Sequence, residues 1–361
     1  MPETNIKTLS WNINSSPQVD PREAGGPVEP RYEALSEAFS ECSVHERFPL
    51  ITARIDWFLN KGYSTVALQE VNNSILPHIV AHLESKGLEV FCQKYNPDDS
   101  SFNHVFAIDP KKYRLIETYP IYLTLSGEPT NNRAELSKEE LFKQNLGTAF
   151  EKSSQVSIVE DLVSGQRLFF VGNHLGLTNE HRKLAALMLC LKLAHIKDPL
   201  ILVGDFNQFD SLFKESKLFF EQIDIFVQNG FKWDGESLYQ EGPYCTFAGF
   251  LYDYERYCTP TDRVELERLK VANDYPGIRE FFIRLIIEKA IPLLGTAMDS
   301  VFTKNIPPES KSKCKVYMFF DGQRVKPIPE NEELEKRLLE TLSKGDPPES
   351  DHFPVGLKLT F

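Results

Sequence analysis

The stretch PLILVGDFNQFD, residues 199–210, joins an apolar strand to a run of polar side chains. Residues 199–203 have the uninterrupted apolar pattern of a strand that is buried on both faces. Gly204, Asp205 and Asn207 follow directly and, taken alone, are typical of a turn with local hydrogen bonds. Because a buried strand also holds its end rigidly, the same residues suit a cleft at the edge of a sheet.

Five further stretches place polar side chains at the ends of predicted strands. They are LSWNIN with Asn12, LQEV with Glu70, NHLG with His174, MDSVF with Asp299, and SDHFPV with Asp351 and His352. Each of them alone has a purely structural interpretation, as a turn residue, a helix cap or a hydrogen-bonded core histidine. Six such stretches in one chain favour a single shared site at the strand ends.

The composition bounds the size of the fold and the kind of partner. The 361 residues are 41% hydrophobic and 25% charged, which suits one large two-sheet domain with insertions. The formal net charge of −12 argues against a broad electrostatic grip on nucleic acid or on an anionic membrane. It does not exclude a phosphate site, because exposed charges are screened over about 8 Å and a bound cation inverts the local sign.

Cysteine usage and hydropathy predict where the chain resides. The six cysteines show no CxxC spacing, and the first residues lack the apolar run of a signal peptide. No apolar run approaches the roughly 20 residues that span a bilayer. We therefore expect reduced thiols, no transmembrane segment and a cytoplasmic location, with export by a machinery that reads no Sec-type signal left open.

Hydrophobic periodicity predicts an α/β architecture along the whole chain. Strands are predicted at residues 6–13, 65–69, 88–93, 105–108, 115–123, 155–160, 167–173, 200–204, 300–303, 316–320 and 355–360. Helices are predicted at residues 48–60, 74–86, 180–195, 212–229, 263–272, 278–291 and 332–343. Strands interleaved with helices favour two packed mixed β-sheets flanked by helices, in a single domain over residues 1–361.

The motifs quoted above, in this order, resemble those of the endonuclease/exonuclease/phosphatase superfamily, with GDFN and SDH as the strongest pieces. The resemblance extends over nearly the whole chain and implies a deoxyribonuclease I-like fold, which is a four-layer α/β sandwich. The chain departs from the family pattern in two longer segments, at about residues 15–48 and 249–296. The second is a predicted helical insertion before the Asp299 strand.

The resemblance also implies the chemistry, which is phosphoester hydrolysis by direct attack of water with Mg²⁺ or Mn²⁺ as cofactor. Oxygen ligands without thiolates suit these hard cations. The metal ligands implied by the resemblance are Asn12, Glu70 and Asp351. Asp205 would position or deprotonate the water, and Asn207 would hold the water or a phosphate oxygen. His174, and His352 oriented by Asp299, would bind the phosphate and stabilise the charge of the transition state.

Three alternatives remain for the function. The first is a nuclease or other phosphodiesterase acting on nucleic acid. The second is a phosphatase or phosphodiesterase acting on phosphoinositides or another lipid headgroup, and the third is a catalytically inactive binding module. Because specificity resides in parts that depart from the family, we expect Asn14, Arg256 and Arg263 to contact the substrate. Segment 249–296 is also a candidate docking surface for a protein partner.

Overall fold

The structure is a computed structural model that describes residues 3–13, 44–95, 102–123, 153–175, 179–207, 221–234, 247–249, 258–272, 281, 294–296, 299–320, 323–325 and 354–361. In chain order its elements are β1 Asn5–Asn12, α1 Val44–Asn60, β2 Thr65–Asn72, α2 Leu76–Ser85, β3 Glu89–Lys94, β4 Phe102–Ile108, β5 Tyr113–Tyr122, β6 Ser153–Asp161, β7 Arg167–His174, α3 Asn179–Leu193, β8 Leu200–Asp205, α4 Glu221–Gln228, β9 Lys232–Trp233, β10 Phe247–Gly249, α5 Pro260–Val271, β11 Leu294–Thr296, β12 Asp299–Lys304, β13 Lys311–Val316, β14 Met318–Phe320, β15 Gln323–Val325 and β16 Val355–Thr360.

Two six-stranded sheets form the centre of the structure, in the spatial orders β13-β16-β1-β2-β4-β3 and β5-β6-β7-β8-β12-β9. Each sheet has one parallel pair near its middle, β1 with β2 and β7 with β8. The carboxyl ends of two parallel neighbours lie at the same edge of a sheet. A hydrogen bond between Asn12 at the end of β1 and Asp205 at the end of β8 joins these two edges.

The apolar residues of the strands divide between two faces and so produce four layers. Ile201 and Val203 of β8 belong to the cluster that fills the space between the sheets. Leu200 and Leu202, at the alternate positions, pack outward with residues of α3 and α4. Residues of α1 and α2 cover the outer face of the first sheet in the same way. Burial of both faces explains the uninterrupted apolar sequence of β8, and the layer order confirms the predicted α/β sandwich.

Some element boundaries differ from the sequence-based predictions. Helix α5 begins at Pro260 rather than at residue 263, because Thr259 and Asp262 form a reciprocal capping box around a proline in the first turn. The strand predicted at 316–320 divides at Tyr317, whose N–H donates to the carbonyl of Pro354. A proline has no N–H to extend the ladder beyond β16. β9, β10, β11 and β15 are too short for periodicity to indicate.

The predicted insertion at 249–296 is described only in part. β10 pairs with β11 in an antiparallel ladder that runs from Phe247 with Thr296 to Gly249 with Leu294. This ladder brings the two ends of the segment together, and α5 lies between them in the chain. The helices predicted at 332–343 and, apart from residue 281, at 278–291 lie outside the described residues. Of the helix predicted at 212–229, the described part is α4.

Candidate active site

Gly204 and the residues after it fix the geometry at the end of β8. Gly204 has a φ of 139°, and a Cβ atom there would lie 2.0 Å from the carbonyl oxygen of Asn173 in β7, so only glycine lets the strands approach this closely. Asn207 also has a positive φ, of 50°, which costs a non-glycine residue on the order of 1–3 kcal/mol. Its N–H donates to Asp205 Oδ1 at 2.7 Å, and its Nδ2 donates to the carbonyl of Leu175 at 2.6 Å. The GDFN corner therefore holds the Asp205 carboxylate in one orientation.

Glu70 occupies a β-bulge in β2. Between the pairs Leu68 with Val105 and Val71 with Asn103, two residues of β2 face one residue of β4. Glu70 is the second of these two residues and has a φ of 55°. Bulges bend a strand and re-aim a side chain, and they are frequent beside active sites. The bulge accounts for the direction of the Glu70 carboxylate, which reaches the Asn12 side chain.

Four side chains from the four central strands converge at this edge. Asn12 Nδ2 donates to Glu70 Oε1 at 3.1 Å and to Asp205 Oδ2 at 3.0 Å. His174 Nε2 lies 3.4 Å from Glu70 Oε1 and 3.5 Å from Asp205 Oδ2. One ligand atom from each of Glu70, His174 and Asp205 lies within 4.8 Å of the others. Asp205 and His174 are buried, whereas the Glu70 side chain keeps 20% of its surface exposed, so the group opens to solvent on the Glu70 side.

Asp299 adds a third carboxylate to this end of the sheets. It begins β12 and lies directly opposite Asp205 in the ladder between β8 and β12. Asp205 is 1% exposed and Asp299 is 2% exposed. Like charges on facing, buried positions are unfavourable unless cationic or hydrogen-bonding groups compensate them. Glu70 and Asp205, with Asp299 opposite Asp205, therefore form an anionic centre that is suited to a cation.

Tyr95 is a member of the site that the sequence did not reveal. It is buried directly after β3, where its hydroxyl oxygen accepts the N–H of Glu70 at 2.7 Å and lies 2.9 Å from His174 Nδ1. Burial, reinforced by the charge of Glu70, raises the pKa of the Tyr95 hydroxyl well above its ordinary value. The phenol therefore keeps its proton and links the bulge of β2 to the histidine of β7.

The Tyr95 contacts decide which tautomer of His174 the site holds. Since the phenol oxygen already accepts the Glu70 N–H, we assign the phenol hydrogen to His174 Nδ1. A neutral imidazole whose Nδ1 accepts carries its hydrogen on Nε2. That N–H faces the carboxylates of Glu70 and Asp205. On this assignment, His174 is a hydrogen-bond donor into the cleft.

The donor atoms fit the hard divalent cation that the superfamily resemblance implies. With Nε2 of His174 protonated, the remaining donors of the group are the carboxylate oxygens of Glu70 and Asp205. Carboxylate oxygens suit Mg²⁺ and Mn²⁺, while sites rich in imidazole and thiolate select zinc. The residues present are therefore compatible with the predicted cofactor, and Glu70, which is partly exposed, is the more accessible of the two carboxylates.

The predicted site residues fall into three groups. The structure brings together six of them, at the carboxyl edges of the two sheets and the start of β12: Asn12, Glu70, His174, Asp205, Asn207 and Asp299. Arg263, a predicted substrate contact, lies in the first turns of α5 with an exposed side chain. Four others lie outside the described residues: Asn14, Arg256, Asp351 and His352.

Comparison with known proteins agrees with this architecture. An endonuclease/exonuclease/phosphatase family protein from Bacteroides thetaiotaomicron matches with a TM-score of 0.56 and 14% identity, over 100% of this chain and 99% of that chain. A mannosyl-6-phosphatase from Bacteroides thetaiotaomicron VPI-5482 matches with a TM-score of 0.54 and 14% identity, over 99% and 100% of the two chains. D. rerio TDP2 in complex with a single-strand DNA product matches with a TM-score of 0.52 and 13% identity, over 99% of both chains.

The chain therefore has the fold of the endonuclease/exonuclease/phosphatase proteins, as its motifs predicted. No model of a protein family matches the sequence, and no curated protein matches it either. At this level of identity the solved structures establish the fold alone. Among the described residues, no helix is long and apolar enough to cross a membrane.

Proposed function

We propose that this protein is a divalent-metal-dependent hydrolase of phosphate esters. The observation that carries the proposal is the convergence of Glu70, His174 and Asp205 within 4.8 Å at the ends of the central strands. Two carboxylates and a hydrogen-bond donor in a partly open cleft match the needs of phosphoester hydrolysis. These needs are neutralisation of the phosphoryl oxygens, orientation of a water molecule and stabilisation of the leaving oxygen.

Glu70 is the proposed main ligand of Mg²⁺ or Mn²⁺, with Asn12 and Asp351 as further ligands. When bound, the cation neutralises charge on the phosphoryl group and on the leaving oxygen. Asn12 donates to both Glu70 and Asp205, so its amide fixes the spacing between the ligand and the neighbouring carboxylate. The bulge at Glu70 keeps this carboxylate toward solvent, where a substrate has access.

Asp205 is the proposed residue that orients or deprotonates the attacking water. Its Oδ1 accepts the Asn207 N–H at 2.7 Å, which leaves Oδ2 directed to the cleft beside His174. A carboxylate held in this way offers a fixed acceptor for one hydrogen of a water molecule. The Nδ2 of Asn207 is engaged with the Leu175 carbonyl, so we assign to its Oδ1 any contact with that water.

The histidines and Asp299 complete the proposed machinery. The Nε2–H of His174 is a donor for a phosphoryl oxygen, in competition with the two carboxylates that it faces. Asp299 is proposed to orient His352, whose imidazole then donates to the phosphate in its charged form. The buried position of Asp299, opposite Asp205 at the same strand end, supports this role.

A phosphodiester of nucleic acid is the preferred substrate in this proposal. A neighbour in fold, D. rerio TDP2, is known in complex with a single-strand DNA product, and single strands need few phosphate contacts. A small phosphorylated sugar or a phosphoinositide is the second candidate. The net charge of −12 favours such a small substrate over a long duplex, and another neighbour is a mannosyl-6-phosphatase. Asn14, Arg256 and Arg263 are the proposed contacts that choose between them.

A substrate panel tests the proposal directly. The purified protein is incubated with Mg²⁺ and single-stranded DNA, double-stranded DNA, RNA, mannose 6-phosphate or a phosphoinositide, with and without excess chelator. We expect release of product from at least one of them, abolished by chelator and strongly reduced by Asp205→Asn. Turnover at the wild-type rate in the Asp205→Asn variant would contradict the proposed role of Asp205. No chelator-sensitive turnover on any substrate would leave a binding module in place of an enzyme.

A further inference from the structure

A cavity lies on the outer face of the first sheet, between α1 and the strands β13 and β16. Its volume is about 390 Å³, which is within the usual range of small-molecule sites. Tyr63 lines it directly before β2, and Lys358, which pairs with Lys7 of β1, lines it from β16. Asn12 lies on the opposite face of this sheet, where it donates to Asp205 of the second sheet. The cavity is therefore distinct from the anionic centre.

The cavity collects four lysines, from two strands and the turn after α1, in a chain whose net charge is −12. They are Lys61 after α1, Lys313 and Lys315 in β13, and Lys358 in β16. In the part of the chain that the structure describes, no carboxylate forms an ion pair with Lys61, Lys313 or Lys315. The described lining of the cavity therefore carries four lysines and no carboxylate.

The register of the sheet places lysines directly opposite one another. Lys313 of β13 pairs with Lys358 of β16, and Lys358 pairs in turn with Lys7 of β1. Like charges at facing positions destabilise a sheet. The Nζ of Lys7 donates to the carbonyl oxygen of Lys61 at 3.1 Å, so the chain after α1 lies beside the same row. An anion that lies across a row of facing lysines offsets their mutual repulsion.

Aromatic rings form the other wall of the cavity. Trp57 and Tyr317 meet edge to face at 5.5 Å between ring centroids, and the hydroxyls of Tyr63 and Tyr317 are 2.7 Å apart. Gly356 lies beneath them, where a Cβ atom would be 2.4 Å from the Tyr63 hydroxyl and 2.7 Å from the Tyr317 ring. Glycine at this position lets the rings lie against β16. The wall is thus rigid, and the Nζ of Lys61 lies 5.7 Å from the centroid of Trp57.

Protection of an exposed sheet edge is a simpler interpretation of the lysines in β13. β13 is the edge strand of the first sheet, and lysines on an edge strand discourage pairing with another chain. That function requires only the lysines of β13 itself. It does not account for Lys61 and Lys358 on other elements, or for a cavity with a fixed aromatic wall.

We propose that this cavity binds a phosphate-bearing ligand with at least two negative charges. Lys313, Lys315 and Lys358 hold the charged groups, and Trp57 provides a flat surface for an apolar part of the ligand. Such an anion offsets the repulsion within the lysine row, so its binding stabilises the fold. The site is independent of the proposed hydrolysis, because it contains none of the residues of the anionic centre.

The experiment is a calorimetric titration of the full chain with sodium tripolyphosphate, in low salt and with excess chelator. Chelator removes metal from the anionic centre, whose carboxylates repel the probe. We expect saturable binding at one site, weakened about tenfold or more by Lys313→Ala, since removal of one contacting charge commonly costs a factor of this size. Lys313→Arg keeps the charge and should keep most of the affinity. Turnover by the anionic centre should be unchanged in both variants.

Lys311→Ala is the matched control, because Lys311 is an exposed lysine on the same face of β13, two residues away and outside the cavity. We expect a change of less than about twofold there, because only the screened overall charge is altered. Thermal unfolding checks the fold, and loss of one facing lysine should leave the midpoint unchanged or higher. Equal weakening by Lys311→Ala and Lys313→Ala, or no saturable binding at all, would overturn the proposal and leave edge protection.

Two further arms identify the source of the phosphate. ATP carries the same number of phosphates as the inorganic probe and adds an aromatic base. Vesicles of phosphatidylcholine with a phosphatidylinositol bisphosphate present the phosphates on a lipid surface. Tighter binding of ATP assigns the cavity to a free phosphate ester, and tighter binding of the vesicles assigns it to a lipid headgroup. The Lys313→Ala variant must weaken whichever binding is observed.

Discussion

The two ends of β1 gather charges of opposite sign in different surroundings. At its carboxyl end, Asn12 donates to the carboxylates of Glu70 and Asp205 among buried side chains. Near its amino end, Lys7 faces Lys358 on the outer side of the sheet, where Lys358 is exposed. Buried like charges need fixed partners or a cation, whereas exposed ones are largely screened by water and salt. Substitutions at the first end should therefore act mainly on turnover and, at buried positions, on stability, whereas substitutions at the second end should act mainly on ligand binding.

Replacement of Glu70 is the severest test of the carboxyl end. Glu70→Gln keeps the size of the side chain and removes the charge of the proposed main metal ligand. We expect turnover to fall by about 10⁴-fold or more, the upper end of what one group at a reacting centre supplies. The midpoint of thermal unfolding should stay the same or rise, because one of three neighbouring carboxylates becomes neutral. Initial rates across a Mg²⁺ titration, with Mn²⁺ binding followed by electron paramagnetic resonance, measure both effects.

Glu89→Gln is the matched control, since Glu89 is an exposed glutamate at the start of β3 in the same sheet. Turnover and metal binding should be unchanged in this variant. If Glu70→Gln turned over at the wild-type rate, at Mg²⁺ concentrations that do not saturate the wild-type protein, the metal site would have to be assigned to other carboxylates.

The next test separates catalysis from binding at Asp205. Asp205→Asn preserves the shape of the GDFN corner and removes the charge proposed to orient water. A loss of about 10²–10⁴-fold in kcat is expected, with KM nearly unchanged. Because Asp205 and Asp299 face each other in buried positions, the variant should also unfold at a higher temperature. A rise in KM with an unchanged kcat would reassign Asp205 to substrate binding.

The contrast between the ends also explains what the sequence could predict. The GDFN stretch can be recognised from the sequence, because an apolar strand that runs directly into Gly204, Asp205 and Asn207 is unusual for a structural turn. The lysine row has no such local signal, since Lys61, Lys313 and Lys358 meet only through the register of β13, β16 and β1. Thr259, Pro260 and Asp262 match the capping-box pattern, which predicts a helix that begins at Pro260 rather than at residue 263.

Gly204→Ala tests whether the close approach of β7 and β8 is a requirement of the fold. The added Cβ would lie 2.0 Å from the Asn173 carbonyl oxygen in a φ region that favours glycine. We expect a loss of about 3 kcal/mol in the free energy of unfolding, from overpacking and backbone strain together. Gly165→Ala is the control, because Gly165 also has a positive φ, of 70°, but has no atom within 4 Å of the added Cβ. Its cost should be about 1 kcal/mol, from the positive φ alone, and equal losses in urea unfolding would refute the packing argument.

Neither Tyr95 nor the Glu70 bulge could be predicted from the sequence, and the reason is physical. The bulge arises from a mismatch between β2 and β4, and neither glycine nor proline marks it in the LQEV stretch. Tyr95 meets His174 across 79 positions of the chain, through the packing of two different sheets. Local patterns report strand ends and turns, while a partner of this kind depends on the assembled layers. The proposed catalytic residues were therefore easier to predict than those that hold them in place.

Tyr95→Phe is the finest test of the carboxyl end, because it removes one oxygen from a ring that otherwise stays in place. Without the hydroxyl, the Glu70 N–H loses its acceptor and His174 Nδ1 loses the donor that keeps the hydrogen on Nε2. We expect kcat to fall by about 10–100-fold, the usual range for groups that orient a metal site. The preference for Mg²⁺ over Zn²⁺ should also weaken, since an unprotonated Nε2 adds an imidazole ligand. Tyr113→Phe, at a buried tyrosine between the sheets, controls for loss of a hydroxyl. A Tyr95→Phe variant with reduced kcat but unchanged metal preference would leave Tyr95 as a packing residue and return the choice of His174 tautomer to the carboxylates.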